Sequence, residues 1–267
     1  MRSSLLLSVF LAGATAVLST PSSNDQDTYS WTAPLARFYQ EVDRTIQSAR
    51  SSSDFPNPPS CNLSTAELPE APRALPPPDQ DTYLRHIAIG RGVQNYTCEN
   101  DTSTPTAIGA VASLYNASCT QCNFPALGTL MTNLVIHYPL PSDPTASLSP
   151  AQILFSGHHY FDEKTPIFDL NTSPSSQYGF AAVEKDDATD APPDAPKGLE
   201  GETAVKWLKL NTVEGTTDGV RHVYRVNTVG GSPPETCEGM ELEPGGTVFS
   251  VEYAAQYWFY AEEDGSE

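Results

Sequence analysis

Basic residues are scarce in this chain. Fourteen lysines and arginines stand against 33 aspartates and glutamates, a formal charge of −19 over 267 residues. Such a surface repels nucleic-acid phosphates and anionic membranes, so neither is an expected partner. Long apolar runs are also missing: after the first 20 residues no stretch is long enough to span a bilayer, and from the polar end AEEDGSE no lipid anchor is expected. No G-x-S-x-G elbow, no G-x-G-x-x-G turn and no alternating strand–helix pattern occurs, which removes the usual signatures of α/β-hydrolases and dinucleotide enzymes.

The start, MRSSLLLSVFLAGATAVLST, has Arg2, an apolar stretch from Leu5 to Ala12 and a small-x-small site at Ala14–Ala16. This predicts a secretory signal peptide over 1–16 and a secreted, extracellular protein. Five cysteines, Cys61, Cys98, Cys119, Cys122 and Cys237, all lie in the exported part. Two disulfides and one spare thiol is the simplest count, with the pairing open. Cys119-x-x-Cys122 lacks further ligands at zinc spacing, so no metal is expected. Sequons at Asn62, Asn95, Asn100, Asn116 and Asn171 predict a surface-glycosylated chain.

Residues 17–59 form a polar N-terminal segment. Within it Leu35, Phe38, Val42 and Ile46 recur at helical spacing and predict an amphipathic helix at about 33–50. Residues 51–80, rich in serine and proline, read as an extended strap tacked down at Cys61. From residue 83 the apolar period becomes two. LRHIAIG and GVQNYTC read as strands with a bend or bulge at Gly90 and Gly92, and AIGAVASLYNASC as the next strand. ALGTLMTNLVIHY fits helix or strand. AQILFSGHHYF, YGFAAVEK, ETAVKWLKLNTV, GVRHVYRVNTV and TVFSVEYAAQYWFYA complete the strands. The expectation is a mainly β protein, one β-sandwich or barrel-like domain over 60–260 with the N-terminal helix, ending in an acidic tail at 261–267.

The chemistry-bearing residues are few. Neighbours in a strand point to opposite faces, so His158 and His159 cannot share a metal unless Gly157 makes a bulge. At most one of them faces inward as a general acid or base, and a satisfied structural histidine is the blander reading. In the middle C-terminal strand, alternation puts His222, Tyr224 and Val226 on one face and Val223, Arg225 and Asn227 on the other. Arg225 can bind a ligand carboxylate or sugar, or pair with an acid inside the sheet; in so acidic a chain the ion pair is expected. The run YAAQYWFY supplies aromatics that are core or, if exposed, a stacking platform.

The runs GRGVQNYTC, AIGAVASLYNASC, SGHHYFDEKTPIFDL, AVKWLKLNTV, VYRVNTVGGSPPETCEG and VEYAAQYWFY, in this order, resemble a family of secreted fungal proteins with bacterial relatives, a domain of unknown function. Some members carry the name malate dehydrogenase. The missing nucleotide turn, the export signal and the β-rich pattern give that activity no support here. The resemblance implies Cys61, Cys98, Cys119 and Cys237 as the usual cysteine set, with Cys122 an addition. It supplies no catalytic residues and no cofactor.

The leading expectation is therefore a secreted glycoprotein at the cell wall or in the medium, binding a small molecule, a glycan, a cell-wall component or a partner protein, and not an evident enzyme. The alternatives are an extracellular enzyme using His158 or His159 as acid/base with Arg225 orienting an anion, and a non-redox auxiliary in metabolite assembly. Gln94, Tyr96, Trp207, Asn227 and Tyr257 are the expected ligand contacts. An enzyme requires one of the histidines, Arg225 and some of Gln94, Tyr96 and Trp207 to converge in a concave pocket.

Overall fold

The computed structural model describes residues 61–138, 140, 155–172, 177–240 and 246–262. The expected signal peptide, the helix at 33–50 and most of the acidic tail lie outside these residues.

Eight antiparallel strands close into a barrel in sequence order. They are β1 (Thr82–Cys98), β2 (Thr106–Asn116), β3 (Phe155–Asp162), β4 (Thr165–Asp169), β5 (Phe180–Thr189), β6 (Trp207–Thr212), β7 (Val220–Gly230) and β8 (Thr247–Glu262). Of the two architectures the sequence allowed, the barrel is the one formed. The long first and last strands close it, β1 pairing with β8 from Thr82↔Glu262 to Cys98↔Thr247. Closure leaves no free edge for another chain to pair with.

Alternation explains both layers of the core. Along β8, Tyr253, Ala255, Tyr257 and Phe259 join the enclosed cluster with Ala88, Leu114, Phe168, Val183, Leu210 and Val223. The intervening Trp258 and Tyr260 pack instead with Ile87, Ile89, Trp207, Tyr224 and Val226. This second cluster would face water if the barrel stood alone. It is covered by the strap, through Leu63, Ala66, Leu68, Ala71 and Leu75, and by Met131 and Val135. Thus β8 is apolar on both faces because it is buried on both.

The strand expected through Cys119 ends at Asn116, and a short helix α1 (Ser118–Asn123) follows; the ambiguous run ALGTLMTNLVIHY is helical as α2 (Pro125–Val135), with proline opening it. A cluster around Gln256 fixes the pair to the barrel wall. Its Nε2 donates to Gln121 Oε1 and Thr132 Oγ1, both at 3.1 Å, while its Oε1 accepts from Asn227 Nδ2 and Trp258 Nε1, both at 3.1 Å. Both donors and both lone pairs of a fully buried amide are thereby used.

Two disulfides, Cys61–Cys119 and Cys98–Cys237, join the cysteines that were set apart, and Cys122 is free. The first staples the strap to α1. Farther along, the strap is held by Arg73 on Asp187, by the Tyr224 hydroxyl donating to Pro76 O at 2.7 Å, and by Lys209 donating to Pro77 O at 3.1 Å.

The glycines of β1 do not bend it; β1 is one continuous strand with irregularities at Leu84/His86 and Asn95/Tyr96. Their role is room inside the barrel. A Cβ at Gly90 would lie 2.6 Å from Tyr257 Cε2, and one at Gly92 would lie 1.9 Å from Val111 O. The missing side chain at Gly90 is the space the Tyr257 ring occupies.

Candidate functional site

The interior changes character along its length. Around Phe168 and Phe259 it is apolar and aromatic. Toward the end bounded by the C-terminal half of β1 it becomes polar, and several of the expected residues meet there.

His159 faces inward and His158 outward, as strand alternation requires. His159 pairs with Ala112 and Phe168 in register and lies flat on the Phe168 ring, centroids 4.2 Å apart. Its Nδ1 donates to Ile167 O at 2.8 Å. Burial pushes its pKa down to about 4, partly opposed by that backbone bond and aided by the positive charge of Arg225. His159 is therefore a neutral imidazole at neutral pH. His158, half-buried, packs edge-on against Phe155 outside the barrel.

Arg225 enters the same end from β7. Its Nε and Nη2 donate to Lys206 O at 3.2 and 2.9 Å, and Nη1 reaches Gln94 Oε1 at 3.5 Å. Its charge bears on four neutral groups, Tyr96, His159, Tyr253 and Tyr257. The expected ion pair does not form: among the described residues no carboxylate pairs with Arg225. Glu252 and Asp190 pair elsewhere, with Arg91 and with Lys206.

Two buried tyrosines complete the cluster. The Tyr253 and Tyr257 hydroxyls are 2.8 Å apart, and burial raises both pKa values. Gln94 stands beside Tyr253, where it opposes part of that rise. Yet Gln94 Nε2 is buried and completes no hydrogen bond. Tyr96 donates to Gly231 O at 2.8 Å and stacks on Phe249. Residues 204–206 and 230–231 draw over this end, joined by the bridge Ala204↔Gly231. Gly231, at φ +92°, approaches so closely that a Cβ would sit 2.7 Å from Tyr253 Cβ.

The structure thus brings together His159, Arg225, Gln94, Tyr96 and Tyr257, and separates three others. Trp207 belongs to the outer cluster beneath the strap. His158 is outside. Asn227 departs from the alternation that placed it with Arg225: the ladder between β7 and β8 slips between Val226 and Val229, and Asn227 takes φ +48°. That bulge turns its amide outward to Gln256. The aromatics of YAAQYWFY, from Tyr253 to Tyr260, are all buried, so they form no exposed platform for sugars.

His86 was missed by sequence reasoning. It is fully buried near the opposite end, between Ser118 Oγ at 3.2 Å from Nδ1 and Ser156 Oγ at 3.1 Å from Nε2, with Tyr178 stacked at 4.0 Å. Burial lowers its pKa to about 3. The signal was faint, since only the irregularity after Leu84 turns His86 toward Tyr178 and Phe259. A surface hollow of about 400 Å³ also lies at that far end, lined by Gln80, Asp81, Thr82, Tyr83 and Glu262. Among the described residues no three His, Cys, Asp or Glu side chains gather as metal ligands, and no helix is long and apolar enough to cross a membrane.

No curated protein and no solved structure matches the chain. Residues 11–76 match a family described as protein of unknown function DUF2990, whose segment thus includes Cys61 and most of the strap that covers the barrel. The barrel itself, with the polar cluster around Arg225, coincides with a match over residues 78–261, and the chain belongs to the family described as protein of unknown function DUF3455.

Proposed function

We propose that this protein is a secreted glycoprotein that binds a small molecule at the Arg225 end of its barrel. The observation that carries the reading is unspent hydrogen-bonding capacity in a place built to be dry. A buried donor without an acceptor costs roughly 1–3 kcal/mol, and a ligand that supplies the acceptor recovers it. Eight-stranded barrels have an interior just wide enough for side chains or one small ligand. Secretion is supported by the leader pattern and by two disulfides, which persist in oxidising surroundings. Carbohydrate is supported by Asn62 and Asn100, exposed sequons whose Oδ1 atoms accept from the backbone two residues on.

A second reading is favoured by one fact: His159 lies in the field of Arg225. An enzyme of this kind would use neutral His159 as a base on a substrate oriented by Arg225. With its pKa lowered to about 4, His159 is a weak base suited to an acid medium.

Native mass spectrometry of the protein isolated from its own source tests the binding reading. A small-molecule adduct is expected in the wild type and is lost in Arg225→Gln. An adduct that persists in Arg225→Gln, or none in the wild type, contradicts it. A ligand returned chemically altered after incubation would select the enzyme.

A further inference from the structure

We infer that the ligand of this end carries a carboxylate, held between the Arg225 guanidinium and the Gln94 amide. The inference rests on the binding reading above and adds the chemical class.

Two independent observations point to an acceptor of negative charge. The first is Arg225: half-buried, near aromatic and neutral groups, and among the described residues without a carboxylate partner. In a chain of charge −19 this is the opposite of what chance pairing gives. The second is Gln94 Nε2, a donor with no partner in a residue only 7% exposed. The amide is not free to turn over and hide the mismatch. Its Oε1 faces Arg225 Nη1 at 3.5 Å, and reversal would set an NH2 donor against a guanidinium donor.

The two groups adjoin: Gln94 Nε2 lacks an acceptor, and Arg225, whose N–H groups reach Lys206 O and Gln94 Oε1, lacks a counter-charge. A carboxylate matches them: two oxygens, one negative charge, and one neighbouring cation. Its approach is from the solvent side, where the guanidinium is partly exposed. A dianion such as phosphate would bring two charges to a single arginine. A neutral amide or alcohol would satisfy Gln94 and leave the cation unmatched. Near this end Tyr96 stacks on Phe249 and His159 on Phe168 beside Tyr257, so the surroundings of the two donors are aromatic. The tyrosine hydroxyls do not compete for the anion as ions, because burial holds both Tyr253 and Tyr257 in their neutral form.

The test uses the full chain with benzoate and benzamide, which share size and shape and differ in charge. Binding is read by titration calorimetry at pH 7 with wild type, Arg225→Lys and Gln94→Met. Benzoate is expected to bind at least tenfold more tightly than benzamide. Arg225→Lys should weaken benzoate several-fold with little effect on benzamide. Gln94→Met, which keeps the bulk and removes the amide, should weaken both. Equal binding of benzoate and benzamide overturns the carboxylate while leaving the binding reading in place. Inorganic phosphate binding more tightly than benzoate also overturns it. Failure of every probe, together with no native adduct, overturns both.

Discussion

His159 lies parallel to Phe168, their rings 10° from coplanar and 4.2 Å apart, inside the barrel wall. The contact holds the imidazole in an apolar slot and is part of why it resists protonation. His86 is held the same way against Tyr178, at 4.0 Å and 13°.

These two histidines set a pH dependence. Each has a folded pKa below its ordinary value, about 4 for His159 and about 3 for His86. The unfolded state then binds more protons as pH falls below about 6.5, so both contribute stability that is complete above that pH and is lost on acidification. For His159 the full loss is roughly 3 kcal/mol, reached near pH 4. Urea unfolding between pH 7 and 4 should show falling stability, with a shallower fall in His159→Phe. An unchanged slope in that variant would show that the ring takes up protons equally in the folded and unfolded states.

Gly90→Ala should destabilise the barrel by about 1–3 kcal/mol, because its methyl meets the Tyr257 ring. Denaturant midpoints measure the loss, and Tyr257→Leu in the same chain should recover part of it. Additive losses would show that the two sites do not touch.

Gln256→Leu breaks four hydrogen bonds at once and leaves Gln121, Thr132, Asn227 and Trp258 short of a partner. A cost of about 3 kcal/mol or more is expected, each orphaned buried group contributing 1–3 kcal/mol at most. Hydrogen exchange should localise the effect to α1 and α2. A loss below about 1 kcal/mol would mean that water replaces the amide.

Peptide mapping of the protein from its own source should find carbohydrate at Asn62 and Asn100 and none at Asn116 or Asn171. In the latter two the Nδ2 atom that a glycan would take already donates, to Tyr178 OH and to Asp218 Oδ2, each at 3.1 Å. Full occupancy at Asn116 would contradict the Tyr178 contact. Under native conditions iodoacetamide should label Cys122 alone.

Much of the barrel was legible because its strands alternate. That His158 and His159 face opposite sides followed from period two alone; which of them turns inward did not. The split of Tyr224 from Arg225 also followed from it. What period two could not carry were its interruptions. One bulge turned Asn227 out and another turned His86 in, and neither has a sequence marker as strong as the glycines of β1, which mark crowding and not a bend. Arg225 was legible as a special residue. Its lack of an acid was not, since composition counts 33 acids and only the fold shows that Glu252 and Asp190 pair elsewhere. The burial of the YAAQYWFY aromatics likewise depends on the strap, whose proline-rich sequence gives no hint of the face it covers.

The most direct measurement is a crystal structure of the protein as isolated from its own source, refined well enough to place a ligand. The account predicts density for a small molecule with an oxygen about 3 Å from both Gln94 Nε2 and the Arg225 guanidinium. Density at the far-end hollow of Gln80 and Tyr83 instead, with ordered water alone between Gln94 and Arg225, would contradict it.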